Sequence, residues 1–198
     1  MSVATVDLAI VDLGFGNLGS VGIAFERFGV APRITADPDE IASAAKVVLP
    51  GVGAAGFAME RIEALSLREM LTGLSQPVLG ICLGMQLLFD HSEEEGTDCL
   101  GLISGRVRRL EPAPGRPVPH MGWSRLGVRD EAIGLAGGDY VYFAHSFACD
   151  PVPETIAAAD YGREIPAVVR KRNFTGAQFH PERSGDAGAR FLKTWIET

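Results

Sequence analysis

The chain has 198 residues, 46% of them hydrophobic and 22% charged, with a formal net charge of -7. That length holds one domain with a sizeable core and leaves little room for a second, and the apolar fraction excludes a disordered chain. An acidic surface repels phosphate backbones, so no nucleic-acid partner is expected, and no apolar run is long enough to span a membrane.

Val6 to Val11 reads as a buried strand, with Gly14 and Gly16 just beyond it. Asn17 to Phe28 follows at helical spacing through Leu18, Val21, Ala24, Phe25 and Phe28, and Gly29 is its stop. Arg33 to Ala36 is a second strand. Asp37, Pro38 and Glu40 then form a helix start, with an N-cap, a proline at the first helical position and an acid three residues on. Val47 to Leu49 is a short buried strand ending at Pro50. Ala55 to Leu65 and Leu67 to Leu74 are helical in character, Pro77 to Ile81 is another short strand, and a helix is expected from Leu83 to about Asp90. This alternation predicts a parallel sheet covered on both faces.

Beyond residue 100 the pattern changes. Arg106 to Leu110, Tyr140 to Phe147, Ile156 to Asp160, Ala167 to Arg172 and Thr175 to Phe179 read as strands, with a hairpin turn near Arg172 and Asn173 and a closing helix over Ala189 to Ile196. The whole predicts one α/β domain over 1–198. Its mixed sheet is mostly parallel at the centre, flanked by helices, and carries an antiparallel extension.

Cys82, Cys99 and Cys149 are the three cysteines; they cannot all pair and form no C-x-x-C. The N-terminus lacks a basic region followed by a long apolar run, so no signal peptide is expected. A reducing, cytoplasmic setting with a free thiol follows. The four histidines, His91, His120, His145 and His180, show no metal-ligand spacing, so neither a metal nor a cofactor is expected.

Gly80-Ile81-Cys82-Leu83-Gly84 lies between a buried strand and a helix. It is the cysteine form of the strand–turn–helix elbow that lifts a nucleophile above a sheet edge. A free thiol is only a few per cent ionised near neutrality, so it needs a base or the helix dipole. Near the C-terminus, Gln178-Phe179-His180-Pro181-Glu182 sets a histidine at a strand end with a carboxylate two residues on. Nucleophile Cys82, base His180 and orienting Glu182 make a triad if the two strand ends are neighbours. Pro50-Gly51-Val52-Gly53 follows a third strand. An oxyanion hole needs two donors; one is assigned to Gly51 or Val52 and the other to Leu83. Gln86, one helical turn past Cys82, can face the same pocket.

Together these stretches resemble the class I glutamine amidotransferases, whose signature is a nucleophile turn like Gly80 to Gln86, a strand-end P-G-x-G loop and a later F-H-P-E, in that order. The resemblance covers nearly the whole chain. It narrows at Pro119-His120-Met121-Gly122-Trp123, at Tyr142 to Phe147, and at Asp12 to Asn17, which look like the glutaminase subunits of imidazole glycerol phosphate synthases. Ser124 departs from the usual asparagine and Arg183 from the common lysine. The resemblance implies hydrolysis of glutamine to glutamate and ammonia through a cysteine thioester. It also implies a heterodimer with a (β/α)8-barrel cyclase, which would use the channelled ammonia to make imidazole glycerol phosphate and the aminoimidazole carboxamide ribotide of histidine biosynthesis. It places glutamine against Gln86, Glu94, Ser146 and Phe147, and the partner against Asn17, His120, Trp123, Tyr142 and Arg183. It further implies weak activity until the synthase site is filled, with the Gly51–Val52 peptide as the switch.

Three rival readings share the sequence, one of which, a pure interaction subunit of the same fold, is disfavoured by the presence of all three triad residue types. Gly14-Phe15-Gly16-Asn17-Leu18-Gly19 matches G-x-G-x-x-G after a strand, with Asp37 where a ribose-binding acid would stand. That dinucleotide reading leaves the cysteine elbow and the His-Pro-Glu strand end without a role. The third rival keeps the glutaminase and changes the acceptor, to an anthranilate or aminodeoxychorismate type of synthase; the Pro119 to Trp123 segment is the discriminating feature.

Overall fold

Residues 6–198 are described by a computed structural model. The first half alternates as its periodicity predicts: β1 (Leu8–Val11), α1 (Leu18–Glu26), β2 (Arg33–Thr35), α2 (Pro38–Ser43), β3 (Lys46–Leu49), α3 (Ala55–Ala64), α4 (Arg68–Gly73), β4 (Val78–Ile81) and α5 (Leu83–Gln86). Every residue of β1, β3 and β4 is buried. Strands without polar alternation need cover on both faces, which the helices supply. The start of α2 is as expected: Asp37 accepts from the backbone N–H groups of Asp39 and Glu40, and Pro38 opens the helix. That carboxylate is therefore committed to a cap rather than free to bind a ribose.

The second half contributes β5 (Phe89–Ser92), β6 (Thr97–Asp98), β7 (Ile103–Arg109), β8 (His120–Val128), β9 (Tyr140–His145), β10 (Phe147–Cys149), β11 (Thr155–Asp160), β12 (Glu164–Lys171), β13 (Phe174–Ala177) and α6 (Gly185–Glu197). The main sheet runs β2-β1-β3-β4-β13-β12-β11-β8-β9. It is parallel from β2 to β13 and antiparallel from β13 outward. The mixed sheet with its antiparallel extension is thus observed. A second sheet, β10-β7-β5-β6, lies beside it. Helix α6 closes the main sheet with a continuous apolar stripe, Ala187, Phe191, Leu192, Trp195 and Ile196, all buried; burying a side chain such as Phe191 stabilises the fold by about 2–3 kcal/mol.

Two local expectations are corrected, and one strand is added. The helix after Cys82 stops at Gln86 rather than Asp90, because the next residues pair elsewhere. Leu87 O accepts from Leu100 N–H, and Leu88 O accepts from Leu102 and Ile103 N–H, at 2.8–2.9 Å. Tyr140 to Phe147 is not one strand: it breaks at Ser146, with β9 pairing β8 in the main sheet and β10 pairing β7 in the second. And His120 to Val128, legible in sequence only as a motif, is a nine-residue strand.

The sheet positions the site. β13 and β4 are parallel neighbours in the register Gly176↔Gly80 and Ala177↔Ile81, and β3 flanks β4 with Leu49 opposite Gly80. Cys82, His180 and the Pro50–Gly53 loop therefore emerge at the carboxyl ends of three adjacent strands, where open α/β sheets place their ligands. Strand β9 reaches back over this edge, since His180 N–H donates to Tyr142 O at 2.9 Å.

Candidate active site

The nucleophile turn is strained and held. Cys82 has φ 53° and ψ -109°, a region a non-glycine residue occupies only when its surroundings enforce it. Its N–H donates to Ala177 O at 2.7 Å, and its carbonyl accepts from Met85 and Gln86 at 3.1 and 3.2 Å. The glycines on either side make the turn sterically possible. A Cβ on Gly84 would lie 1.8 Å from Leu49 O, and one on Gly80 would lie 2.5 Å from Gly84 O. Gly51 is pressed against the same turn, where a Cβ would meet Leu83 Cβ at 2.8 Å and Gly84 N at 2.9 Å. The Pro50–Gly53 loop and Leu83 are thereby brought together, and Leu83 N–H, at the first helical position, has no intrahelical acceptor.

The His180 imidazole is paired with the Glu182 carboxylate, and Cys82 stands at the end of the neighbouring strand. His180 Nδ1 and Glu182 Oε1 are 2.9 Å apart, which leaves Nε2 as the ring nitrogen available to a second group. Burial alone would lower the His180 pKa. The hydrogen bonds and charges of Cys82 and Glu182 outweigh burial and raise it to about 10. A cationic imidazole beside the sulfur is what a thiolate needs as counter-ion. Glu182 Oε2 is buried without a hydrogen-bond partner among the described residues. The Glu182 residue borders a small cavity of about 70 Å³ reaching Asn17, Gly51, Val52 and Arg183. Cys99 and Cys149 have no such setting: burial pushes the Cys99 thiol up to about 11 and the Cys149 thiol well above its usual value.

A cavity of about 250 Å³ opens over Cys82, and Val52, Leu83, Gln86, Glu94, Ser146 and Phe147 all line it. The residues expected to hold a substrate are therefore gathered in one place. The Glu94 carboxylate reaches across to accept from Ala55 N–H at 2.8 Å, capping α3. Its pKa is raised by burial, partly offset by that hydrogen bond. The Phe147 carbonyl is occupied, accepting from Gln86 Nε2 at 2.7 Å and from His145 Nδ1 at 2.8 Å. A second cavity of about 230 Å³ lies at the opposite end of the sheet, beside Arg172, Phe191 and Trp195. It contains no nucleophile paired with a base.

The expected partner residues divide. Trp123 is 54% exposed and packs edge-on against Tyr142, whose ring carries the Arg183 guanidinium at 4.9 Å. Met121, exposed on the same strand, extends this apolar patch to the mouth of the cavity. Asn17 caps α1, accepting from Ser20 N–H. His120 is corrected: it is only 3% exposed, stacked between Phe143 and Tyr161, so its ring presents no surface to a partner. It donates or accepts instead within a buried chain, Ser124 Oγ to His120 Nε2 at 2.8 Å and His120 Nδ1 to His145 Nε2 at 3.0 Å. Burial holds the His120 pKa down to about 4 and the His145 pKa to about 3.

Gln178 is a site residue that motif reading passes over; it is fully buried, with its side-chain Nε2 3.8 Å from Cys82 Sγ. Among the described residues no cluster of His, Cys, Asp or Glu is arranged to hold a metal, and no helix is long and apolar enough to cross a membrane.

This geometry can be set beside known proteins. A solved glutamine amidotransferase superposes with a TM-score of 0.75 at 20% identity, covering 96% of this chain and 97% of that one. A solved Thermoplasma acidophilum protein assigned to a GMP synthase gives 0.74 at 20% identity, covering 98% and 94%. The fold is shared with both. The imidazole glycerol phosphate synthase subunit HisH of Xanthomonas campestris is 50% identical over 194 residues, covering 96% of this chain and 97% of the relative. The HisH subunit of Xylella fastidiosa strain Temecula1 is 49% identical over the same shares. The family model of the class-I glutamine amidotransferases matches residues 13–197. From the nucleophile turn to the closing helix, the chain belongs to the class-I glutamine amidotransferase family, among the HisH subunits of imidazole glycerol phosphate synthase.

Proposed function

We propose that Cys82, His180 and Glu182 hydrolyse glutamine to glutamate and ammonia, and that a cyclase subunit docked on the Trp123 face consumes the ammonia. The single observation that carries this reading is the placing of Cys82 and the hydrogen-bonded His180–Glu182 pair at the ends of two neighbouring parallel strands, with Cys82 at the foot of a cavity of about 250 Å³.

The thiolate attacks the amide carbon of glutamine. Leu83 N–H and the Gly51–Val52 peptide receive the oxyanion as the carbonyl becomes tetrahedral. The protonated His180 gives its proton to the departing nitrogen, ammonia leaves, and a glutamyl thioester remains on Cys82. Water then adds to the thioester carbonyl, giving a proton to His180, and the collapse releases glutamate and restores the thiolate. Glu182 keeps Nδ1 protonated throughout, so that Nε2 does the proton transfer. Gln86 keeps its side-chain oxygen for the substrate, because its nitrogen is engaged by Phe147 O and Gln178.

The 70 Å³ cavity behind Gly51 and Val52 lies between the triad and Arg183. A partner bound over Trp123, Tyr142 and Arg183 would therefore touch the loop that supplies one oxyanion donor. Moving that donor alters the rate by about 10²–10³-fold, so the Gly51–Val52 peptide is the place where the partner's occupancy is read. The test is glutamate formation from glutamine by this chain, alone and with the cyclase and its ligand. We expect a low rate alone, a rise of about 10²-fold or more in the complex, and none in Cys82→Ala. Full glutaminase activity in Cys82→Ala would overturn the assignment.

A further inference from the structure

We propose that Gln178 is a positioning residue for the nucleophile, with its side-chain amide donating to the Cys82 sulfur in an orientation enforced by Gln86 and the Phe147 carbonyl. The inference rests on the reading of Cys82 as the nucleophile and goes beyond the triad.

The polarity of the chain of contacts is not a free choice. A backbone carbonyl only accepts. The Gln86 amide therefore turns its NH2 group to Phe147 O, 2.7 Å away, and the same nitrogen lies 3.0 Å from Gln178. Gln178 must answer with its oxygen. Its own NH2 group is then left for the remaining neighbour, the Cys82 sulfur at 3.8 Å. The second acceptor direction of Phe147 O is taken by His145 Nδ1 at 2.8 Å, so the carbonyl cannot be released to another donor without breaking both contacts. A fixed backbone acceptor on β10 is converted, through two buried amides, into a fixed donor at the sulfur.

Burial gives this arrangement its force. Gln178 is fully buried and Gln86 is 4% exposed. Two buried primary amides are costly unless their groups are paired. An aliphatic side chain of similar volume would fill the same space without that requirement. An N–H aimed at sulfur favours the thiolate over the thiol, because only the charged form is a strong acceptor. The titratable groups facing Cys82 are His180, with Glu182 behind it, and His145 and Glu94 in the cavity wall. Of these His180 is the direct proton partner, and Gln178 supplies a donor that does not titrate.

The test reads the thiolate rather than turnover. Alkylation of Cys82 in the full chain by iodoacetamide, without glutamine, is followed against pH by mass spectrometry of the Cys82 peptide. In Gln178→Met the pH midpoint should rise by roughly one unit, the size expected for losing one donor to a charged acceptor. Gln86→Met, which frees Gln178 to turn, should shift it in the same direction by less, and the double variant should match Gln178→Met alone. If Gln178→Met does not fold, Gln178→Asn withdraws the amide from sulfur while keeping its chemistry and should give the same shift. A profile superimposable on the parent in the folded Gln178 variant would overturn the proposal. Because the parent's glutaminase activity is measured separately, failure here and failure of the glutaminase reading remain distinct.

Discussion

Replacing Gly84 by alanine puts the packing of the nucleophile turn under direct test. The new Cβ would stand 1.8 Å from Leu49 O and 2.9 Å from the Leu49 carbonyl carbon. Both are backbone atoms of a strand in register with β4, Leu49 opposite Gly80. No side chain can swing aside, so the turn and the strand end must separate by more than about 1 Å. Overpacking against backbone belongs at the upper end of the usual range, about 3 kcal/mol. For a chain of this length that lowers the melting temperature by roughly 6–12 °C. The same displacement pulls Leu83 away from Gly51, and a misplacement of about 1 Å costs on the order of 10²-fold in rate. Gly19 is the control: it lies in α1, where an added methyl would have nothing within 4 Å, and Gly19→Ala should be neutral or stabilising by about 0.5–1 kcal/mol. Thermal denaturation of both variants, with glutamate formation in the complex, provides the measurement. A Gly84→Ala protein with the parent's melting temperature and rate would refute this account of the turn.

The buried histidines set a dependence on acid. His120 and His145 have folded pKa values of about 4 and 3 against 6.5 unfolded. Their neutral forms therefore contribute stability that is complete above pH 6.5 and lost as pH falls through the folded values. At pH 5 each accounts for about 2 kcal/mol. His120→Gln should flatten the fall in unfolding free energy between pH 6.5 and 5 by about that amount, read by denaturant titration at each pH; an unchanged slope would contradict the buried-pair assignment. Trp123→Ala removes the largest exposed aromatic of the proposed docking face and should weaken association with the cyclase by about 2 kcal/mol, roughly 30-fold in Kd, while leaving the chain's own melting temperature near the parent's. Cys82→Ala in the complex should lose synthesis from glutamine and retain synthesis from added ammonium salts; loss of both in a folded complex would break the division of labour.

Cys82 and His180 are legible in sequence as candidates because each directly follows an apolar strand, with Glu182 two residues past His180; the pairing of β4 with β13 that makes those strand ends neighbours comes from the sheet. The Asp37 cap and the parallel half of the sheet are legible because local chemistry and tertiary placement agree. Leu87 to Phe89 reads wrongly as helix because a short apolar run carries no period of its own, and its carbonyls are claimed by residues 100–103, a pairing invisible in one dimension. His120 reads as a surface residue because it stands next to the motif's Trp123. Alternation along β8 sends Trp123 outward and His120 inward, where Phe143, Tyr161 and His145 receive it. Gln178 carries a weak signal, a polar residue inside an apolar strand two positions before the base. Its meaning depends on Phe147 O, which arrives from a different sheet.

The most direct measurement of the central claim is the site of the acyl group. Acid quenching of the complex during glutamine turnover, before water has cleared the thioester, should catch a glutamyl group on protein. Mass spectrometry of proteolytic fragments should find it on Cys82 and on neither Cys99 nor Cys149. An acyl group on another residue, or rapid glutamate release from Cys82→Ala with no acylated species, would contradict it.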